Sequence, residues 1–378
     1  MLQEKPKYDE NSVKPLDPRE HMRLRPGMYV GGTDLQALNN WLEWLLQHAV
    51  QQVFQEHADH VRLFLKPDDQ IEIIVNGHGL RISEFHGTSE FEMAMTMIGT
   101  GAQWGLFGVI PLQVVNALAA ECIAEVKREG FLWRQEYREG KPLAPVLRVR
   151  GLDTGESNGT RIMARPDYTL FEKHSFSYET WAARLHELAC LFPRTIFSLH
   201  DERTGQADNF YFPDGLASYL NHANRDRTTL HPPLYSSSTW RWRPKDWSVA
   251  DATVDVAIQY CESDETVVIG YLNTQRLESG RHLDVAPELV MSLINEQWFF
   301  ATPFSSEQVK RGLTMVINAF HPYVRYQGST RYRVTNSDLI ALLADAVEKL
   351  FPQTSKEKAG IEAKLRANGA FDDEADTE

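Results

Sequence analysis

The chain has 378 residues, of which 42% are hydrophobic and 24% charged, so it is long enough for two domains with buried cores. Its net charge of −13 argues against a protein that coats DNA, which needs many cations facing phosphate. No apolar stretch is long enough for a membrane helix, the N-terminus lacks the apolar core of a signal peptide, and the three cysteines are far apart, so we expect a cytoplasmic protein with reduced thiols.

The first half of the chain mixes helical and strand patterns. Residues 1–20 are polar and contain three prolines, a composition typical of an extended arm. In residues 38–54 the apolar side chains recur at the spacing of an amphipathic helix. Alternating runs at 61–65 and 71–75 flank a Pro-Asp-Asp turn and predict a β-hairpin. Further helices are predicted at 90–98, 114–120 and 178–191, and further strands at 122–127, 132–137, 147–149 and 159–164.

The second half has the same character. A hairpin is predicted at 196–212, and we place a domain boundary near Gly215. Residues 353–378 are rich in charge and end in FDDEADTE, so we expect a short frayed helix followed by a disordered acidic tail. The mixture of helices and strands indicates two layered α/β domains. The remaining predicted elements are strands at 254–260, 267–272 and 313–320 and helices at 286–297 and 337–350.

Several strings along the chain are similar to those of DNA gyrase B and of its counterpart in topoisomerase IV. They occur in the family's order up to about Leu350 and include SVKPLDPREHMRLRPGMYVGGTD at 12–34, WRQEYREGKP at 133–142, NGTRI at 158–162 and YQGSTRYRVTNSD at 326–338. The resemblance implies a GHKL-type (Bergerat) α/β sandwich over residues 21–215 and a ribosomal-S5-like transducer domain over residues 216–352. It also implies that residues 1–20, with Tyr8, form an arm that embraces a second copy of the chain.

The helix at 38–54 carries the positions that this resemblance assigns to ATP hydrolysis. In the family a Glu on this helix is the general base, and an Asn four residues later holds Mg²⁺. The apolar stripe places Trp44 at the Glu position and His48 at the Asn position. Tryptophan cannot take a proton from water, and Mg²⁺ prefers oxygen ligands to imidazole. A slip of one residue would put Glu43 and Gln47 in these roles, but it would turn the apolar stripe partly outward.

The segment VNGHG at 75–79 corresponds to the family's Asp-x-Gly-x-Gly motif, whose Asp binds adenine. Gly77 and Gly79 are kept, but Val75 occupies the Asp position and offers no hydrogen-bond acceptor. The neighbouring Asn76 points to the opposite face of a strand. The motif therefore predicts a nucleotide pocket that has lost its adenine contact.

Two more positions match family residues around the pocket. Thr160 corresponds to a residue beside the adenine, and Arg134 to a residue at the pocket rim. Both residues also suit a purely structural role in a strand and at a rim. In the second domain Arg331 stands where the family's Lys contacts the γ-phosphate, and arginine does not reproduce the geometry of lysine.

The family's glycine-rich lid corresponds here to the shorter stretch TGAQWGLFGVIPLQVVNAL at 100–118. Gly105 and Gly108 remain in it, and Phe107 replaces a His. Ile110 puts a β-branched side chain where a Gly would let backbone approach phosphate, and Pro111 removes an N–H donor. A phosphate cradle built from this stretch would be poor.

Together these changes predict a pseudo-ATPase that uses neither ATP nor Mg²⁺ and acts as a non-hydrolysing binding or regulatory protein. We expect a homodimer joined through the arm, with gyrase or topoisomerase IV subunits as candidate partners, weak or indirect contact with DNA, and no contact with membranes. Two alternatives stay open. One is an active ATPase subunit that uses Glu43, and the other is a pocket remodelled by Trp44, Val75 and Phe107 for another small ligand.

Overall fold

The computed structural model describes residues 17–55, 57–97, 112–242, 250–277, 280–298, 303–327, 333–350 and 356–375. The positions predicted at Tyr8, Gly105, Phe107, Gly108 and Arg331 lie outside these described residues. The chain folds into two compact units. The first takes in the described residues up to 183 together with 196–209, and the second takes in 184–195 and the described residues from 210 onward.

The described elements up to residue 210 alternate between helices and strands, as the sequence predicts. A short 3-10 turn at Pro67–Asp69 joins the first two strands. In chain order the elements are α1 (Pro18–Leu24), α2 (Gly27–Val30), α3 (Leu35–Phe54), β1 (His60–Leu65), β2 (Ile71–Asn76), β3 (Glu84–Phe85), β4 (Thr88–Ser89), α4 (Glu90–Thr96), α5 (Leu112–Ala117), β5 (Ala119–Arg128), β6 (Phe131–Arg138), β7 (Lys141–Pro142), β8 (Leu147–Gly151), β9 (Gly159–Pro166), α6 (Tyr178–Leu191), β10 (Ile196–Asp201) and β11 (Gln206–Phe210).

A nine-stranded sheet forms the centre of the first unit. Its strands follow the order β11-β10-β1-β2-β9-β5-β6-β7, and β8 also pairs with β6. Alternate residues of β1 and β9 are buried, because neighbouring side chains of a strand point to opposite faces. We call the side of Val61, Val75 and Thr160 the helix face, since α3 packs on β1 and β2. The opposite side, which carries Arg62 and Arg161, is called the polar face.

Helix α3 supplies much of the core on the helix face, and its predicted apolar stripe is buried. The helix begins where the side chain of Asp34 accepts a hydrogen bond from the backbone N–H of Ala37 at 3.0 Å. The fully buried Trp41 donates its indole N–H to the carbonyl of Val115 in α5 at 3.0 Å. Its ring also stacks on Phe176, with 6.4 Å between ring centroids. The burial and this hydrogen bond fix the rotation of α3.

Residues 18–20, which the prediction includes in an extended arm, belong to a helix, because α1 begins at Pro18. The side chain of Asp17 accepts a hydrogen bond from the backbone N–H of Arg19 at 2.8 Å, which satisfies one free donor of the helix end. Proline suits the first position of a helix, since its fixed φ is already helical. A proline that looked like part of an extended segment therefore starts a helix.

The second unit is built on a five-stranded sheet in the order β12-β13-β16-β14-β15, in which β14 and β16 are parallel. Every residue of β16 is buried, as expected for a central strand covered on both faces. Its elements are α7 (Leu216–Ala223), β12 (Leu234–Trp242), β13 (Ala250–Tyr260), β14 (Val267–Leu272), β15 (Gln275–Leu277), α8 (Arg281–Trp298), α9 (Ser306–Lys310), β16 (Leu313–Phe320), β17 (Tyr326–Gln327), β18 (Arg333–Val334), α10 (Ser337–Glu348) and α11 (Lys356–Ala375).

Helix α11 is longer than the short frayed helix expected within residues 353–378, because it extends over Lys356–Ala375. Ile361 and Leu365, one turn apart, are fully buried in the core of the second unit. The side-chain amide of Asn368 donates to the carbonyl of Gln308 at 2.7 Å. Two apolar residues among many charged ones give a weak periodic signal, but they are enough to anchor the helix. Among the described helices, none combines the length and apolar character needed to cross a membrane.

We predict that Leu365→Ala destabilises the second unit by about 2–5 kcal/mol, because it deletes a fully buried side chain and leaves a cavity. The free energy of unfolding can be measured by urea titration with circular dichroism. Ala363→Gln, at an exposed position of the same helix, serves as the matched control and should change stability little. Equal stability of the two variants would show that α11 is not anchored in solution.

Candidate functional site

The indole of Trp44 is tied to the backbone of the neighbouring helix. Trp44 is half-buried in α3, and its N–H donates to the carbonyl of Tyr29 in α2 at 3.1 Å. Asn40, one turn earlier, donates to the carbonyl of Val30 at 2.9 Å. These two bonds hold α2 against α3. Because the indole N–H is the only polar group of the side chain, Trp44 has nothing left with which to activate water.

His48 lies one turn beyond Trp44 and is buried, with 1% of its surface exposed. Neither ring nitrogen has a hydrogen-bond partner among the residues that the structure describes. Burial lowers the pKa of His48 from 6.5 to about 4, so the ring is neutral at pH 7. A buried neutral imidazole does not supply the hard oxygen ligand that Mg²⁺ prefers. Mg²⁺ therefore does not fit this position.

The alternative pair belongs to the same turn of α3. Glu43 is half-buried and Gln47 is buried, with 3% of its surface exposed. The carboxylate of Glu43 is thus partly accessible, whereas the amide of Gln47 is not. Glu43 remains the alternative general base, and its role is left to the assay described below.

The strand β2 brings Val75 to the helix face beside Thr160, its partner in β9. Val75 is buried and apolar. Asn76 does not replace the missing acceptor, because its side-chain oxygen accepts hydrogen bonds from the backbone N–H groups of Asp59 at 3.1 Å and His60 at 3.0 Å. Its amide also donates to the carboxylate of Asp59 at 2.6 Å. Asn76 therefore stabilises the backbone at the start of β1.

The motif glycines have a structural reason to be glycine. Gly77 has a φ of +113°, and an added Cβ would lie 2.3 Å from the carbonyl oxygen of His57. Gly79 has a φ of +71°, and an added Cβ would lie 3.0 Å from a carbonyl oxygen of β9. The buried hydroxyl of Thr160 accepts a hydrogen bond from the backbone N–H of Leu80 at 3.2 Å, which closes the same turn. These contacts account for both glycines and for Thr160 without a nucleotide.

Arg134 lies on the polar face and not with the other candidate residues. Its guanidinium contacts Glu136 at 2.7 Å and Glu125 at 2.9 Å, and both carboxylates raise its pKa. Glu125 in turn contacts Arg161 at 2.9 Å. The side chain is therefore part of a charged network on the sheet. Helix α3, which carries Trp44 and His48, packs on β1 and β2 at the face of Val75 and Thr160, whereas Arg134 lies on the polar face.

Sequence comparison relates the chain to DNA gyrase B. The family model described as DNA gyrase B matches residues 215–376. The gyrase B protein of Archaeoglobus fulgidus is 31% identical over 357 residues, which cover 90% of this chain and 55% of that protein. The gyrase B protein of Thermotoga maritima is 28% identical over 362 residues, covering 91% and 56%. The chain spans about half the length of these relatives.

Solved structures give the same fold. The 43K ATPase domain of gyrase B from Thermus thermophilus, solved with an aminocoumarin, matches with a TM-score of 0.81 and 21% identity over 96% of this chain and 98% of that one. Gyrase B from Myxococcus xanthus matches with a TM-score of 0.76 and 21% identity, covering 92% and 99%. These matches confirm the fold class that the sequence predicted.

Because His48 is buried, the free energy of unfolding should depend on pH in the acidic range. Its pKa is about 4 in the folded chain and 6.5 without burial, so between these values only the unfolded chain binds the proton. The free energy of unfolding should therefore fall as the pH is lowered from 6.5 to 4, by roughly 3 kcal/mol from this residue, and should not change with His48 above that window. Urea titrations across this range measure the slope.

His48→Leu should reduce that slope, because it removes one buried group that must take up a proton. His174→Leu, at a partly exposed histidine, is the control and should keep the wild-type slope. Part of the slope should remain in His48→Leu, because burial also lowers the pKa of His186 and His282. If His48→Leu and wild type lose stability equally on acidification, His48 is not buried as described.

Proposed function

We propose that this chain, which is related to the ATPase and transducer region of DNA gyrase B, does not hydrolyse ATP and acts as a binding or regulatory protein. The proposal rests on the contacts and burial of the side chains at two positions of α3. Trp44 uses its only polar group on the carbonyl of Tyr29, and His48 is buried and neutral. A general base and a magnesium ligand are both missing from the places where the family has them.

The rest of the pocket supports the same conclusion. Val75 gives no acceptor for the adenine amine, and Asn76 is engaged by Asp59 and His60. The retained Gly77 and Thr160 serve the turn that follows β2. ATP and Mg²⁺ therefore do not fit the described residues, and we propose that neither is a cofactor of this protein.

A protein that keeps the scaffold but not the chemistry acts through binding. We propose a homodimer joined through the N-terminal arm, and a type II topoisomerase subunit as the further partner. The support is that similarity to gyrase B extends over 90% of the chain. The net charge of −13 favours a protein partner over direct binding to DNA.

We expect no Mg²⁺-dependent phosphate release from ATP, with or without DNA, because loss of a general base alone typically lowers a rate by about 10²–10⁴. A coupled assay measures it, and Glu43→Ala should behave like the unaltered chain. Magnesium-dependent turnover in the unaltered chain would contradict the proposal. Its loss in Glu43→Ala would then identify Glu43 as the base and the chain as an active ATPase.

For assembly, we expect light scattering to give the mass of a dimer at micromolar concentration, and we expect deletion of residues 1–16 to reduce the dimer fraction. Pull-downs with tagged gyrase and topoisomerase IV subunits test the mixed complex. Bovine serum albumin and a variant lacking residues 1–16 are the controls. A monomer that binds none of these subunits would refute both parts of the assembly proposal.

A further inference from the structure

One row of cross-strand neighbours crosses the polar face of the nine-stranded sheet. Each member is paired in register with the next, and adjacent strands lie about 4.8 Å apart. The row therefore places Arg62 and Arg161 about 10 Å apart, with the apolar Ile74 between them. In order, its members are Ser198, Arg62, Ile74, Arg161, Glu125 and Arg134.

The arginines of this row differ in how their charge is balanced. Arg161 contacts Glu72 at 2.8 Å and Glu125 at 2.9 Å. Arg134 shares Glu125 and also contacts Glu136. The side chain of Arg62 has no hydrogen bond or ion pair within the described parts of the chain, and its Nε is buried without an acceptor. The guanidinium of Arg62 is thus the unbalanced charge of the row.

A cavity of about 160 Å³ opens beside this guanidinium. Arg62 and Ile74, which are neighbours on adjacent strands, are among its lining residues, so a cation and an apolar side chain meet at this end of the cavity. Lys127 also lines it, but this ammonium is paired with Glu156 at 2.6 Å. The carboxylate of Glu125, another lining residue, is held by two arginines. Among the described residues that line the cavity, Arg62 is therefore the cation whose side chain has no partner. An anion that enters the cavity can pair with it.

We propose that this cavity binds a small organic carboxylate, with its carboxylate on the guanidinium of Arg62 and its apolar body against Ile74. The fork of a guanidinium matches the two oxygens of a carboxylate, which makes this pairing stronger and more directional than a contact with a point charge. The volume is close to that of an engineered cavity of about 150 Å³ that holds benzene, so an acid of the size of benzoate fits.

The proposed contacts lie on the opposite face of the sheet from the Val75 side chain, although Val75, Asn76 and Thr160 also line the cavity. Arg62 and Ile74 point to the polar face, whereas Val75 points to the helix face. The carboxylate of Glu125, which also lines the cavity, would oppose a multiply charged phosphate chain. The proposal therefore stands or falls independently of whether the protein hydrolyses ATP.

The test is calorimetric titration of the full-length chain at pH 7 with benzoate, and with benzamide as a neutral ligand of the same shape. We expect saturable binding of benzoate, and binding of benzamide that is weaker by about tenfold or more because the charge-assisted pair is lost. Arg62→Gln should weaken benzoate binding by about the same factor. Arg148→Gln, which removes an exposed guanidinium stacked on Phe131 in the same sheet, is the matched control and should bind like the unaltered chain.

A second variant, Ile74→Trp, should abolish binding by filling the space beside Arg62, and urea titration confirms that each variant is folded. The proposal is overturned if the unaltered chain shows no saturable binding of benzoate at millimolar concentrations. It is equally overturned if folded Arg62→Gln or folded Ile74→Trp binds benzoate as well as the unaltered chain does.

Discussion

The packing of α3 against β1 and β2 is the constraint on which the first unit depends. The rotation of the helix is fixed by a continuous buried stripe and by the hydrogen bond from Trp41 to the carbonyl of Val115. Once that rotation is set, the same helix decides what the helix face can offer to a ligand. It contributes Trp44, whose N–H is bonded to α2, and His48, which is buried and neutral. The packing of α3 therefore determines both the fold of the first unit and the chemistry of the site.

Elements with a strong local period could be predicted from the sequence. The helix at 38–54 and the hairpin of β1 and β2 are as expected, because apolar side chains repeat at 3.6 and at 2 residues along them. The length of α11 was underestimated because its buried apolar anchors, Ile361 and Leu365, stand among charged neighbours. The start of α1 at Pro18 was missed because a proline signals both an extended segment and a first helical turn.

The candidate site was only partly predictable, since its decisive contacts join distant parts of the chain. The sequence indicates that Trp44 cannot act as a base, but not that its N–H bonds to Tyr29. It likewise gives no sign that Asn76 fastens Asp59 and His60, because that contact depends on the turn before β1. Gly77 shows a related limit, since a crowded turn requires glycine as firmly as a phosphate does. Motif glycines are therefore weak evidence for a nucleotide.

The strand order of the large sheet also governs how the chain can fold. The salt bridge from Glu72 to Arg161 joins residues 89 apart, and the bond from His60 to Ser198 joins residues 138 apart. Forming either contact closes a long loop and therefore costs conformational entropy, which slows folding. During synthesis β1 can pair with β2 at once, but its other edge has no partner until β10 has been made. The nascent chain thus carries an open strand edge over more than a hundred residues of synthesis, a period in which chaperones have a hydrogen-bonding surface to protect.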